Sequence, residues 1–119
     1  LTARLNALRP RFNVTTPALA AARAALADDG YLARSYALNA AGREQLMAGL
    51  SALGLQCLPS AGNFVTTRFA DAQAAQAAHA RLLAAGMAVS TLEPYGMADW
   101  LRISVGLPEH NHALLQALA

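Results

Sequence analysis

Lysine is missing altogether: across 119 residues all nine basic side chains are arginine. Chemistry that needs a side-chain amine as nucleophile cannot run on this chain unaided. Cysteine is nearly as scarce. Cys57 stands alone, which excludes an internal disulfide and fits a reducing compartment, so a cytoplasmic location is expected. Charge is thin, at 13% of residues, with nine bases against seven acids and a net charge of +2. The arginines are scattered and no basic run interleaves with aromatics, which argues against nucleic acid as a partner. No apolar run approaches the length of a membrane span, so no membrane partner is expected either. Gly-rich phosphate loops of the G-x-G-x-x-G or G-x-x-x-x-G-K-[ST] kind are absent, and Gly42 and Gly49 fall inside a helical pattern where they read as close packing. The chain opens on Leu1 rather than Met and without a signal-like segment, so a fragment of a longer protein is expected.

What the chain does have is alanine, 30 residues of it, which favours helix more than it fills a core. Leu1, Leu5 and Leu8 carry a helical spacing that Pro10 closes. Thr16 reads as a cap with Pro17 at the first helical position, and the helix runs to about Ala27. Residues 31–38 read as a short helix or an irregular connection, with Asn39 capping a helix over 40–53. That helix carries Leu46, Met47, Leu50 and Leu53 on one stripe and stops at Gly54. The period then changes. Strands are predicted over 55–58 and 63–69, joined by the turn Pro59-Ser60-Ala61-Gly62. Asp71 caps a helix to Ala85 with Gly86 as its stop, residues 87–90 form a third strand, and Glu93 to Gly96 turn into a fourth over 100–105. Pro108 starts a last helix carrying Leu114, Leu115 and Leu118. The expected fold is α/β: a two-layer unit with a short mixed or antiparallel sheet of about four strands packed on helices, preceded by two helices.

Few side chains are candidates for chemistry. His79 lies mid-helix, while His110 and His112 sit two apart at a helix start on different faces. No Cys, Asp or Glu stands at ligand spacing with them, so they read as surface histidines and no metal site is expected. Cys57, between Gln56 and Leu58, reads as a small buried hydrophobe. Arg102 is different. In the alternating run Trp100 to Val105, Leu101, Ile103 and Val105 point one way and Trp100, Arg102 and Ser104 the other. If the aliphatic face meets the helices, Arg102 shares its face with an indole and a hydroxyl. A guanidinium there suits a bidentate grip on a carboxylate or phosphate, with the indole partly desolvating it. A solvent-facing arginine without a ligand fits the spacing equally well.

The stretch W-L-R-I-S-V-G-L-P-E-H-N, Trp100 to Asn111, closely resembles the C-terminal signature of fold type I pyridoxal-phosphate aminotransferases of the histidinol-phosphate aminotransferase type. P-S-A-G-N-F-V, Pro59 to Val65, is similar to that family's Pro-Ser-x-x-Asn-Phe turn and strand. R-F-N-V-T-T-P-A-L-A-A-A, Arg11 to Ala22, resembles its Pro-(Phe/Tyr)-Asn-Val-Asn segment and the helix after it. Gly42-Arg43-x-x-Leu46 followed by Leu53-Gly54-Leu55 fits as well. The resemblance covers nearly the whole chain.

It implies the last third of an enzyme that moves an amino group between an amino acid, or a histidinol-phosphate-like amine, and a 2-oxo acid. Residues 17–119 would then be the C-terminal small domain, and residues 1–16 the linker helix from an absent large domain, near a homodimer interface. The absent domain would bind pyridoxal 5'-phosphate through its lysine, and the absence of lysine here agrees. By the resemblance Arg102 binds the substrate carboxylate, and Asn63 and Phe64 shape the same cleft. Two departures stand out. Many members place arginine in the strand after the 71–85 helix, where this chain has Val89-Ser90-Thr91, so Ser90 would bear on substrate preference. Arg11 stands where the family commonly has proline. The competing reading is a non-catalytic ligand-binding or dimerisation module derived from such an enzyme, and a third is a purely structural fragment. A reading frame that continues upstream into a lysine-bearing motif separates the enzyme from both.

The 119 residues alone are expected to be inactive and to hold no pyridoxal phosphate on a side chain. Mixing the chain with the cofactor, reducing with borohydride and mapping the product by mass spectrometry checks this. Label on any residue other than the N-terminal amine contradicts it.

Overall fold

The computed structural model describes residues 2–8 and 13–119, the side chains of Ala3 and Leu5 apart. Leu1, the side chain of Leu5, the stop at Pro10 and the start of the Arg11 motif lie outside this description. The chain divides into two compact units, residues 1–35 and 36–119.

The first unit holds α1 (Thr2–Ala7), α2 (Thr16–Leu26) and the beginning of α3 (Asp29–Ala52), within which the division falls. The cap of α2 is Thr15, whose Oγ1 accepts from the Ala18 amide at 3.4 Å. Thr16 was the expected cap; with two threonines in succession, the extended backbone at Thr15 decides which one serves. A larger correction concerns α3. Residues 31–38 are neither irregular nor a separate helix, and Asn39 caps nothing. The helix begins eleven residues earlier, at Asp29, where the Asp28 carboxylate accepts from the Tyr31 amide at 2.7 Å. Ala33, Arg34, Ala37 and Leu38 are good helix formers with no proline among them. Asn39 spends its side-chain N–H on a distant carbonyl, that of Gly62 at 3.2 Å.

The second unit adds β1 (Gln56–Cys57), β2 (Phe64–Arg68), α4 (Ala72–Ala84), β3 (Ser90–Leu92), β4 (Met97–Ser104) and α5 (Pro108–Leu118). The four strands form one sheet in the order β1-β2-β4-β3, antiparallel at every pairing. Two helix exits are built alike. Gly54 and Gly86 take positive φ, 77° and 79°. At the first, the Gly54 and Leu55 amides donate back to Ser51 and Leu50; at the second, those of Gly86 and Met87 donate back to Leu83 and Leu82. Both are Schellman stops. The second explains why β3 begins at Ser90 rather than Met87: Met87 is bound to the helix it leaves. β4 starts early, at Met97, because Gly96 (φ 74°) closes a 3-10 turn over Glu93–Tyr95 and the chain pairs at once, Leu92 facing Met97.

The core lies on one face of the sheet. Val65 and Thr67 of β2 and Leu101 and Ile103 of β4 point at Leu46 and Leu50 of α3, Ala75, Ala78 and Leu82 of α4, and Leu114 and Leu118 of α5, all buried. Thr67 satisfies its buried hydroxyl by donating to the Gln56 carbonyl at 3.2 Å. Cys57 is half-buried and packs against this cluster. No helix among the described residues is long and apolar enough to cross a membrane.

Asn111, on α5, is a polar side chain buried at 2% exposure. Its Oδ1 accepts from the Gly106 amide at 2.9 Å, and its Nδ2 reaches Gln45 Oε1 at 3.1 Å and the Gly106 carbonyl at 3.2 Å. This requires α3 to come very close, and Gly42 permits it. A Cβ there would stand 2.5 Å from Val105 Cγ1 and 3.0 Å from Asn111 Nδ2. Gly42→Ala is therefore expected to destabilise by about 1–3 kcal/mol through overpacking. Asn111→Ala should cost a similar ~1–3 kcal/mol, because the Gly106 amide loses its partner. Gly49→Ala should cost less, since the side chain it meets, Leu115, can swing away. Urea midpoints at constant m measure all three; a Gly42→Ala protein as stable as the parent contradicts the account.

Candidate functional site

The other face of the sheet carries the polar groups. Across the β2–β4 ladder Phe64 faces Ser104, Thr66 faces Arg102 and Arg68 faces Trp100, and on the far side of β4 Ser90 faces Arg102. Burial of Leu101 and Ile103 fixes the alternation, so Arg102 must emerge on the opposite face, where it is exposed.

Two contacts hold its guanidinium. Nη2 donates to Ser90 Oγ at 3.4 Å, and the guanidinium carbon lies 5.5 Å from the centroid of the Phe64 ring, within cation–π range. Trp100 shares the face, as its place in the alternation requires, but it is not the ring beside Arg102. It is taken by Arg68, whose guanidinium carbon lies 5.8 Å from the indole centroid. Arg68 also pairs with Asp99, Nε to Oδ2 at 2.7 Å. Among the described residues no carboxylate comes within salt-bridge distance of Arg102. One arginine on this face is thus neutralised. The other keeps its charge and its fork of donors available to an anion.

Of the residues singled out from the sequence, the structure brings Arg102 and Ser90 together. Asn63 is exposed just before β2, and its contact with the chain after β4 is through the backbone, its carbonyl accepting from the Val105 amide at 2.8 Å. Before it, the turn over Pro59–Gly62 is tied internally: Ser60 Oγ donates to the Phe64 carbonyl at 2.6 Å and accepts from the Gly62 amide at 3.2 Å. His110 and His112 are exposed and His79 half-buried. No three His, Cys, Asp or Glu gather as a metal site among the described residues.

Two features escaped the sequence reading. Asn111 was one, although it occupies the first place of the stripe Asn111, Leu114, Leu118, where a polar residue marks a buried polar contact. The other was Arg43. Its place beside Gly42 gave no sign that its Nη1 would donate to the Gly62 carbonyl at 3.1 Å.

The aminotransferase class I and II family model matches residues 1–118. Histidinol-phosphate aminotransferase 1 of Thiobacillus denitrificans is 51% identical over 114 residues, covering 96% of this chain and 29% of that protein. Histidinol-phosphate aminotransferase 2 of Ralstonia nicotianae is 50% identical over 119 residues, covering 99% of this chain and 32% of that protein. The crystal structure of histidinol-phosphate aminotransferase from Sinorhizobium meliloti in complex with pyridoxal-5'-phosphate is similar with a TM-score of 0.81 at 30% identity, covering 97% of this chain and 32% of that one. The chain spans 29–32% of the length of these curated relatives.

The Arg68 guanidinium beside Asp99 holds its carboxyl below the ordinary carboxylate value. A carboxyl depressed in the folded state adds stability that is present above its unfolded pKa and lost as pH falls through the folded one. Asp99→Asn should therefore flatten the acid side of the stability profile below about pH 4. The effect should be small and erased by salt, because the pair is open to solvent. Urea midpoints against pH for both proteins check it; an unchanged acid slope at low salt contradicts it.

Proposed function

The chain belongs to the aminotransferase class I and II family, and we propose that it is the C-terminal part of a pyridoxal-phosphate-dependent aminotransferase, with residues 17–119 as its small domain. The reaction proposed is transfer of an amino group between an amino acid, or a histidinol-phosphate-like amine, and a 2-oxo acid. The role proposed for these residues is capture of the substrate carboxylate by Arg102. One observation carries this reading: a guanidinium raised on the exposed sheet face, steadied by Ser90 and Phe64 and left without a carboxylate partner among the described residues.

The donor set does not suit these residues to seat the cofactor themselves. With no lysine in the chain, no side-chain amine can hold its aldehyde. Its seat is assigned to the rest of the protein. When bound, the cofactor supplies the electron sink of amino-group transfer. What this chain contributes is orientation: a two-pronged grip fixes the carboxylate, and with it the direction of the substrate's Cα–H bond.

Ser90 bears on which substrates fit. With a hydroxyl in place of a second cation beside Arg102, a substrate carrying one anionic group and a neutral or aromatic side chain is favoured. The protein is further proposed to act as a homodimer, which sedimentation of the full-length enzyme tests.

In the full-length enzyme Arg102→Ala should lower kcat/KM by about 2–4 kcal/mol in transition-state terms, the scale of a charge-assisted bidentate contact. Arg102→Lys should not rescue it, because a point charge cannot reproduce the fork. Unchanged kcat/KM in Arg102→Ala rules the role out. Ser90→Arg should improve histidinol phosphate selectively over phenylalanine, by up to roughly 1.5–3 kcal/mol for one charged hydrogen bond. Equal shifts for both substrates would show that Ser90 does not set the preference.

A further inference from the structure

Phe64 lies under Arg102, and the turn before it determines where that ring can be. Gly62 makes the place for it: a Cβ there would stand 3.1 Å from Phe64 Cε1 and 3.4 Å from Cδ1. The ring therefore rests on the bare backbone of Gly62, and the position of Gly62 is the position of the ring. The Gly62 carbonyl is gripped by two side chains from one helix. Arg43 Nη1 donates to it at 3.1 Å and Asn39 Nδ2 at 3.2 Å. They stand four residues apart on α3, hence on one face of it, and converge on a single acceptor. The grip has a cost, since Asn39 Oδ1 is buried with no hydrogen-bond partner among the described residues. Turning the amide N–H toward Gly62 leaves its oxygen with nothing to accept from. On the other side of the turn Ser60 closes the loop on Phe64's own carbonyl.

We propose that Arg43, with Asn39, is a positioning residue for the carboxylate site: by clamping the Gly62 carbonyl it sets the Phe64 ring against which the Arg102 guanidinium is oriented. The line of contact runs from α3 through Gly62 and Phe64 to Arg102, and every member lies within the unit of residues 36–119. Arg43 touches no substrate. The clamp works through geometry, so releasing it should blur the direction of the guanidinium fork while leaving its charge in place. Binding of a carboxylate should suffer most, with a smaller loss of turnover because the Cα–H bond is then aimed less firmly. The inference rests on the reading of Arg102 as the carboxylate ligand.

The test uses the full-length enzyme and separates the two claims. Arg43→Ala should raise KM for phenylalanine roughly two- to fivefold, the scale of an exposed cation–π contact, with a smaller fall in kcat. The inhibition constant of phenylalaninol, which lacks the carboxylate, should stay put. Arg43→Lys should recover much of the loss, because an ammonium can still donate to one carbonyl. Gly62→Ala, which pushes on the ring, and Phe64→Leu, which removes it, should reproduce the same carboxylate-specific rise with Arg43 intact, and they carry the test if Arg43→Ala does not fold. A drop in Tm with KM unchanged in Arg43→Ala, or KM unchanged in both Gly62→Ala and Phe64→Leu, overturns the positioning role. Should Arg102→Ala impair the enzyme while these variants do not, the inference alone falls. If Arg102→Ala is itself silent, the carboxylate reading falls and takes the inference with it.

Discussion

The buried amide of Asn111 is the contact from which the rest of the second unit takes its geometry. It binds both backbone groups of Gly106, the residue with which β4 gives way to the turn before α5, and reaches Gln45 on α3. Such a network is favourable only when its members are satisfied, because an unmet donor inside a low-dielectric core is costly. It therefore tolerates one placement of α3 against the end of β4, and Gly42 supplies the clearance that placement needs. Once the end of β4 is held, alternation does the remainder. Leu101 and Ile103 go into the core and Arg102 comes out.

What happens on the outer face is decided by neutralisation. Arg68 and Arg102 project from neighbouring strands and each meets an aromatic ring. Only Arg68 also meets a carboxylate. A hydroxyl and a ring can orient a guanidinium without cancelling its charge, so Arg102 keeps both its direction and its field. Preorganisation of this kind lets a small contact area discriminate between anions, because the donors are in place before the ligand arrives.

The features legible in the sequence were those governed by neighbours a few residues away. The Asp71 cap, the stops at Gly54 and Gly86, the stripe through Leu46 and Leu50 and the outward placement of Arg102 all follow from local rules, and the structure contains each of them. Where prediction failed, a distant partner or a competing cap decided the matter. Asn39 has the side chain of a helix cap, yet it stands mid-helix because Gly62 gives it a partner 23 residues away. Asn111 reaches Gln45 across 66 residues and Arg43 reaches Gly62 across 19, beyond any periodicity. The ring beside Arg102 was assigned to Trp100 because both lie on one strand face; the structure places Phe64 there, from the adjacent strand.

The unequal strands have a consequence for how copies of this chain can meet. The edges of the sheet are its shortest members, β1 with two residues and β3 with three, and the pairing of β3 is broken by a register shift after Thr91. The long strands, β2 and β4, lie inside, each covered by its short neighbour over only part of its length. An incoming strand would find each border stepped, a short strand giving way to the bare flank of a longer one, too uneven to template a continuous ladder. Amyloid-like stacking and strand exchange are thus discouraged by topology, before any surface charge acts.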